Sequence, residues 1–283
     1  MKILITGASG YLGQGIVRHL LNNNHSVIAI GRKPERIDSR AERIAEDIFT
    51  TSDPYKTFGK PDVLLHLAWR DGFVHYSNAH IEDLPKHYQF IKNMIEGGVK
   101  KVAVMGSMHE IGFMEGSINE NTPCHPVTPY GISKNMLREL TEMLCKQNGV
   151  MFQWLRGYYI VGNSQYGSSI FSKITAAEAE GKEVFPFTMG QNQFDFIDYE
   201  DFCEKTARAV GQDVITGIIN ICSGYPEKLA DRVERFIKEN DYGIKLKYGA
   251  FPDRPYDSKA VWGDSLKIDA IMKGGHKDGS DNS

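Results

Sequence analysis

The sequence lacks any apolar run long enough to cross a bilayer, and it has almost no excess of either charge. Its longest apolar stretches, such as VLLHLAW at residues 63–69, fall far short of the roughly 20 residues that a transmembrane helix needs. Its 33 basic and 36 acidic residues are interspersed and leave a net charge of −3, so no extended basic surface is expected. We therefore expect no membrane span and no nucleic-acid partner.

Cysteine is scarce as well, and no spacing suggests a metal site. The chain has four widely separated cysteines, Cys124, Cys145, Cys203 and Cys222. Because no CxxC pair is present, structural thiols are favoured over a zinc or redox site. His75, His80 and His87 have no consistent helical spacing, so we expect solvated or core roles for them and no bound metal.

The two ends of the chain carry little that could form a targeting segment. In MKILITGASG one lysine and a short apolar run precede a glycine turn, whereas a signal peptide has an apolar region of about 7–15 residues. This pattern predicts a first β-strand in a cytoplasmic protein. The polar, glycine-rich end GGHKDGSDNS predicts a disordered tail over residues 273–283.

Apolar, β-branched runs alternate with helical patterns through the first half of the chain. The predicted strands are KILIT, SVIAI, DVLLHLA and KVAVMG, with helices near residues 11–21 and 88–95. This alternation is typical of an α/β fold with a parallel sheet covered on both faces. A longer helix is predicted to begin after the N-cap Thr128, with Pro129 in its first position, and to end at Gly149.

Two further strands are predicted later in the chain, and irregular segments surround them. FQWLRGYYIVG and GIINICSG read as strands, whereas KEVFPFTMGQNQFDF and YGAFPDRPYDSKAVWG are rich in glycine, proline and aromatic residues. Segments of this kind do not continue the regular alternation of the first half. We therefore predict that they form a small second lobe over the carboxyl edge of the sheet.

A glycine-rich turn follows the first strand. TGASGYLG places Gly7, Gly10 and Gly13 directly before a predicted helix. Glycine allows the backbone to approach a pyrophosphate closely, and the amides and dipole at the start of the helix favour negative charge. In this strand, turn and helix context the motif predicts a dinucleotide site. The alternative is a tight turn that only packs the helix against the sheet.

The end of the second strand distinguishes between two dinucleotides. An acidic residue there would bind the 2′-hydroxyl of the adenosine ribose, but the chain has Gly31, Arg32 and Lys33. Two cations would attract a 2′-phosphate, so we predict NADP(H) as the cofactor in preference to NAD(H). The alternative is that both are solvated loop charges. Asp47 is a candidate partner of the adenine amino group or, alternatively, a solvated carboxylate.

The segment YGISK places Tyr130 and Lys134 four residues apart in the opening turns of the longer helix. Residues at this spacing share one side of a helix. The pair alone does not distinguish a catalytic site from ordinary helix-surface residues, because it occurs by chance in many proteins.

Six motifs taken together carry a resemblance to a known family. They occur in order along nearly the whole chain: TGASGYLG, HLAW, MGSMHEIG, YGISK, LRGYYIVG and FIDYEDF. The sequence resembles the extended short-chain dehydrogenase/reductase family, in particular its nucleotide-sugar epimerases, dehydratases and ketoreductases. The resemblance implies a Rossmann-type, NADP-binding domain at residues 1–162 and 195–222. It also implies a smaller substrate-binding lobe at 163–194 and 223–272, a nucleotide-sugar substrate and a homodimer.

The resemblance also implies roles for individual residues. Tyr130, Lys134 and Ser107 match the catalytic residues, and His109 is a further acid/base candidate or, alternatively, only lines the pocket. Implied cofactor contacts are Gly7, Ser9, Gly10, Tyr11, Leu12, Gly13, Arg32, Lys33, Asp47, Ile48, Leu67, Ala68, Tyr130, Lys134 and Tyr158. Implied substrate contacts are Trp69, Tyr159 and Arg254. Tyr159 stands where the family usually has asparagine, and Phe194 where it usually has a phosphate-binding arginine.

The expected chemistry depends on the acidity of the Tyr130 hydroxyl. A tyrosine titrates near pH ~10, and a neighbouring ammonium and an oxidised nicotinamide lower that value, so Tyr130 is expected to exchange a proton with substrate at neutral pH. Met108 and His109 replace the Asp-Glu pair of family dehydratases, which argues against dehydration. Arg32 and Lys33 favour NADPH-dependent reduction of a 4-keto-6-deoxy sugar nucleotide. The alternatives are a 4-epimerase with bound NAD(P) and a non-catalytic NADP(H) sensor.

Overall fold

A computed structural model of the chain describes residues 1–162, 169–252 and 258–274. Arg254, predicted to contact substrate, lies outside the described residues. The tail was predicted to begin at residue 273, but Lys273 and Gly274 close the last helix, because the apolar spacing of that helix continues to its end. The rest of the predicted tail, residues 275–283, also lies outside the described part.

The described residues form fourteen strands and eight α-helices. The strands are β1 (Lys2–Thr6), β2 (Ser26–Ile30), β3 (Glu42–Ile44), β4 (Val63–His66), β5 (Lys101–Ser107), β6 (Gly116–Ile118), β7 (Met151–Gly157), β8 (Tyr159–Val161), β9 (Val184–Pro186), β10 (Gln193–Asp198), β11 (Gly217–Ile221), β12 (Pro226–Lys228), β13 (Lys245–Lys247) and β14 (Ala260–Gly263). The helices are α1 (Tyr11–Asn22), α2 (Pro54–Thr57), α3 (Ala79–Gly97), α4 (Pro129–Asn148), α5 (Ile170–Ala179), α6 (Tyr199–Val210), α7 (Leu229–Glu239) and α8 (Leu266–Gly274).

Seven parallel strands form the central sheet, in the order β11-β7-β5-β4-β1-β2-β3. Alternate side chains of each strand point to opposite faces: Ile3 and Ile5 join the core cluster that contains α1 and α6, whereas Leu4 joins the cluster that contains α3 and α4. This confirms the predicted α/β class. The chain reverses its direction of winding between β1 and β4, and ligands of such sheets bind beyond the carboxyl ends of the strands at that point.

The helix α4 follows the sequence expectation closely. Thr128 caps it, with its hydroxyl accepting a hydrogen bond of 3.1 Å from the Gly131 N–H, and Gly149 ends it in the left-handed region at φ +65°. The helix predicted near residues 88–95 is longer and spans Ala79–Gly97. Both helices pack on the face of the sheet that also buries Leu64. The start of α4 lies beside the carboxyl end of β5, because a Cβ on Gly131 would lie 2.3 Å from the His109 carbonyl oxygen in the turn after that strand.

A second sheet has the order β12-β10-β14-β6, with β8 paired to β10. The run FQWLRGYYIVG was predicted as one strand, but it divides into β7 in the central sheet and β8 in this second sheet. A separate apolar cluster packs α5 and α7 against β10 through Phe171, Phe196 and Phe236. The exact domain boundaries remain a prediction. Asp195 of β10 links the second sheet to the end of β11 in the central sheet. Its fully buried carboxylate accepts hydrogen bonds from Ser223 and Gly224, which follow β11, and from Gly263 at the end of β14.

Candidate active site

The glycine turn after β1 forms a cradle of main-chain groups. Gly7 has φ +70°, and a Cβ there would lie 2.8 Å from the Ala68 nitrogen, so only glycine fits. A Cβ on Gly13 would lie 2.5 Å from the Gly7 oxygen. The helix α1 then begins at Tyr11 with no acidic residue in its first turn. Its exposed amides can therefore receive an anionic group, as the fit of a dinucleotide diphosphate requires.

The end of β2 lies beside this cradle. Gly31 packs against the Ser9 side chain, and the Lys33 N–H lies 3.4 Å from the Ser9 hydroxyl oxygen. The side chains of Arg32 and Lys33 are exposed. Among the described residues no carboxylate lies within ion-pair distance of either cation. Their charges therefore remain available to an anionic ligand on this side of the cradle.

Three candidate catalytic residues meet at the carboxyl ends of the strands. Ser107 is the last residue of β5, whereas Tyr130 and Lys134 lie one turn apart at the start of α4. Ser107 lies near Tyr130 and acts to lower the pKa of its hydroxyl. The Lys134 ammonium donates a 2.8 Å hydrogen bond to the Met105 carbonyl oxygen and lies 6.0 Å from the centre of the Tyr130 ring. The three side chains therefore lie together at the carboxyl edge of the sheet, and their catalytic roles stay a prediction.

Burial sets the acidity of both titratable members of this group. It lowers the pKa of Lys134 to about 7, against the opposing charge of Glu110. It raises the pKa of Tyr130 to about 12, although the nearby Ser107 acts in the other direction. Among the protein's own groups, desolvation therefore dominates the pKa of Tyr130. The expected lowering by the ammonium together with an oxidised nicotinamide stays a prediction.

Comparison with known sequences decides the family. The sequence profile of the NAD dependent epimerase/dehydratase family matches residues 3–222. The chain belongs to this family. It is an enzyme of the extended short-chain dehydrogenase/reductase type, as the motifs predicted.

Individual family members are similar over nearly their whole length. The dTDP-6-deoxy-L-talose 4-dehydrogenase (NAD(+)) of Aggregatibacter actinomycetemcomitans is 44% identical over 270 residues, which cover 93% of this chain and 99% of that protein. The UDP-N-acetylglucosamine 4-epimerase of Methanobrevibacter ruminantium M1, solved with UDP-N-acetylmuramic acid, has a TM-score of 0.81 at 21% identity and covers 95% of this chain and 91% of its own. The second likeness shows the fold alone.

Four more of the cofactor positions implied by the family lie around the cradle. The Tyr11 ring packs against that of Tyr199 with centres 4.4 Å apart and a tilt of 32°, and Leu12 packs against the core. Leu67 and Ala68 follow β4, where the Ala68 N–H donates a 3.2 Å hydrogen bond to the Thr6 hydroxyl. All four are partly exposed, so each retains some accessible surface.

Three further implied positions differ in their surroundings. Asp47 is exposed, and its side chain accepts a 2.9 Å hydrogen bond from the Phe49 N–H, whereas Ile48 is buried in the core. Tyr158 was predicted to bind the cofactor, but its side chain is only 7% exposed and lies in the core. Its hydroxyl lacks a hydrogen-bond partner within the described ranges, and burial raises its pKa. The Tyr158 side chain therefore presents little surface to a cofactor.

Trp69 was predicted to contact substrate, and its indole also forms a platform for the candidate lysine. The Lys134 ammonium lies 3.8 Å above the indole centre, within the range of a cation–π interaction. The Trp69 N–H donates to His80 Nδ1 at 3.0 Å, while His80 Nε2 lies 2.9 Å from the Val74 carbonyl oxygen. This pattern requires neutral His80 with its proton on Nε2. The indole is thereby held in place.

Two histidines cover the candidate tyrosine. The His75 ring stacks parallel to the Tyr130 ring, with centres 5.0 Å apart at 8°, and lies 4.3 Å from the His109 ring. Burial lowers the pKa of His109 to about 4 and also lowers that of His75. The lack of a consistent helical spacing favoured a solvated or core role for His75. In the structure its ring lies on that of Tyr130, and its carbonyl oxygen accepts a 3.1 Å hydrogen bond from the Tyr130 N–H.

The predicted substrate contact Tyr159 lies in the second sheet. Its ring packs against Phe194 and Phe196, with centres 4.8 Å and 5.8 Å away.

Over residues 1–162, 169–252 and 258–274 the structure has no group of three side chains suited to a metal ion. In the same ranges no helix has the length and apolar character of a membrane span.

Proposed function

We propose that this chain reduces the 4-keto group of a 6-deoxy sugar nucleotide with NADPH, as a cytoplasmic homodimer. The observation that carries the proposal is the grouping of Ser107, Tyr130 and Lys134 at the carboxyl edge of the sheet, beside the glycine cradle. The similarity to a dTDP-6-deoxy-L-talose 4-dehydrogenase supports the carbon position and the class of sugar, because hydride transfer at C4 is reversible.

The residues present can perform the proton chemistry of this reaction. A bound nicotinamide dinucleotide would supply the hydride that adds to C4. Tyr130 donates its hydroxyl proton to the oxygen of the former ketone, and the product is a 4-hydroxyl group. Ser107 orients that oxygen by a hydrogen bond, and the Lys134 ammonium stabilises the phenolate left on Tyr130.

Dehydration is a poor fit to the same site. Met108, at one of the two positions where dehydratases carry acidic residues, is buried, and His109 follows it. The nearest carboxylate in sequence, Glu110, is fully buried and accepts hydrogen bonds from Ser107 and Trp154. It is therefore not placed to remove a proton from a sugar carbon.

The choice of cofactor rests on the two cations after β2. Replacing both Arg32 and Lys33 by Asp is expected to weaken NADPH binding by about 100-fold, because each lost charge-assisted contact to a 2′-phosphate is equivalent to roughly tenfold in affinity. NADH binding should change little. Arg36→Asp, on the same loop and also exposed, is the matched control. Equal binding of NADH and NADPH by the unaltered protein would contradict the assignment.

The activity itself is tested with a dTDP-4-keto-6-deoxyhexose and NADPH. We expect loss of absorbance at the nicotinamide band, with the 4-hydroxyl product identified by NMR. Interconversion of two 4-epimers without net cofactor consumption would show a 4-epimerase instead. Tight cofactor binding without turnover of any sugar nucleotide would show the sensor alternative.

The proposed homodimer is supported by apolar side chains on the outer surface of α3 and α4. Ile81 on α3 and Ile132, Met136 and Met143 on α4 are between 41% and 59% exposed. Exposed apolar groups of this kind are typical of protein interfaces. A monomeric mass in light scattering would contradict the dimer.

A further inference from the structure

A fully buried carboxylate lies behind the candidate serine. Glu110, in the short 3₁₀ turn after β5, is 0% exposed. Its Oε1 accepts a 2.5 Å hydrogen bond from the Ser107 N–H, and its two oxygens lie 2.8 and 2.9 Å from the Trp154 indole nitrogen. A buried carboxylate is stable only when its oxygens are paired in this way.

The local sequence explains how the carboxylate reaches the serine. Ser107 and Glu110 form a capping box, in which the Ser107 hydroxyl accepts from the turn and the Glu110 side chain accepts from the Ser107 N–H. Gly106 makes room for the group, because a Cβ there would lie 2.1 Å from the Trp154 nitrogen and 2.6 Å from Glu110 Oε1. The position of the Ser107 main chain therefore depends on Glu110.

The nearest cation to Glu110 is Arg156, which is also 0% exposed. Its Nε lies 3.5 Å from Glu110 Oε2, beyond the distance of a strong charge-assisted hydrogen bond. Its Nη1 donates to the Asn119 carbonyl oxygen, and within the described ranges Nε and Nη2 have no hydrogen-bond partner. Arg156 is therefore the buried counter-charge of Glu110, without a short hydrogen bond between the two groups, and the charge of Glu110 also acts on other groups.

One of those groups is Lys134. The Lys134 ammonium donates a hydrogen bond to the Met105 carbonyl oxygen, and the Glu110 carboxylate accepts one from the Ser107 N–H. Met105 and Ser107 are two residues apart on β5, so both groups lie beside the same end of this strand. Lys134 is otherwise surrounded by Trp69 and Tyr130, with the buried and uncharged His66 and His87 close enough for its charge to lower their pKa values. Among the described carboxylates, Glu110 is the one whose charge raises the pKa of Lys134.

We propose that Glu110 is a positioning residue of the active site, which fixes Ser107 through its main-chain N–H and supplies the negative charge that faces Lys134. Trp154 holds the carboxylate by hydrogen bonds, and Arg156 supplies its counter-charge. The proposal rests on the proposed function for its kinetic consequences, but the charge on Lys134 is a property of the protein alone.

The first test is Glu110→Gln, which keeps the shape of the side chain and removes its charge. The 15N chemical shift of Lys134 Nζ, assigned by its loss in Lys134→Met, is followed by NMR across pH. We expect its titration to move to lower pH by about one unit. An unchanged titration would overturn the proposal. This readout needs no substrate, so it also decides the matter if no sugar nucleotide is turned over.

The kinetic readout separates positioning from substrate binding. With a turned-over substrate, Glu110→Gln is expected to lower kcat by about tenfold or more with little change in KM, because the loss falls on the transition state. The alkaline limb of the kcat profile should move in the same direction as the Lys134 titration. A change in KM alone would overturn the proposal.

A second variant distinguishes this role from simple support of the fold. Glu110→Gln leaves buried Arg156 without its counter-charge, which destabilises the fold. The double variant Glu110→Gln/Arg156→Met removes both charges, so the fold should recover while kcat stays low and the Lys134 titration stays displaced. Recovery of the original kcat and titration in the double variant would show a purely structural role. Asp195→Asn, which alters another fully buried carboxylate, should lower Tm without moving the Lys134 titration.

Discussion

Replacing Tyr130 by Phe is expected to lower kcat by about 10²–10⁴-fold, the range that a positioned general acid contributes. The substitution removes the hydroxyl near Ser107 but keeps the ring that stacks on His75. The fold and the glycine cradle should therefore be unaffected. Steady-state rates with a 4-keto sugar nucleotide give the loss of turnover, and titration with NADPH gives the affinity, which should remain within about threefold.

The matched control for this substitution is Tyr76→Phe, because Tyr76 lies in the neighbouring loop and is 74% exposed. It should retain full turnover. If Tyr130→Phe turned over as fast as the unaltered protein, a different proton donor would be required, and His109 would be the first to examine because its ring lies 6.1 Å from that of Tyr130.

Features decided by residues close together in sequence were predictable. The helix α4 begins and ends where its capping residues, Thr128 and Gly149, indicated. The glycine turn between β1 and α1 formed because the positive φ at Gly7 and the crowding at Gly13 are local requirements. The Ser-x-x-Glu spacing at Ser107 and Glu110 is a local signal of the same kind, and it would have pointed to the capping box.

Features that depend on contacts between distant segments were not predictable. The stacking of His75 on Tyr130 requires the loop after β4 to return to the start of α4, and the sequence contains no pattern for that contact. The apolar run that includes Gly157 and Tyr158 does not show where β7 ends and β8 changes sheet. The acidity of Tyr130 likewise depends on burial, which only the assembled structure defines.

The same burial makes Lys134 costly to the fold. Its side chain is 3% exposed, and its direct partners are the neutral Met105 carbonyl and the Trp69 ring. A functional cation held in this way is expected to reduce stability, as strained active-site groups commonly do. Replacing Lys134 by Met should therefore abolish turnover and raise the Tm of protein prepared free of cofactor.

The stabilisation expected from Lys134→Met should depend on pH. The direction of this dependence follows from the lowered pKa of Lys134. In the folded protein the pKa of Lys134 is about 7, against an ordinary value of 10.5. Below pH 7 the lysine is charged in both states and the full cost of burial is present. Between pH 7 and about 10.5 the unfolded chain binds the extra proton, so the stability of the unaltered protein rises by roughly 5 kcal/mol at most.

The gain in stability from Lys134→Met should thus be greatest near pH 6 and shrink towards pH 10. The difference in Tm between the variant and the unaltered protein, taken at each pH, measures this gain. Each kcal/mol corresponds to about 2–4 °C in a chain of this size class. Lys146→Met, at an exposed position on the same helix, is the matched control and should give only a small difference in Tm. A Lys134→Met protein that is less stable at pH 6 than the unaltered one would mean that the cation–π contact with Trp69 and the bond to Met105 outweigh the cost of burying the charge.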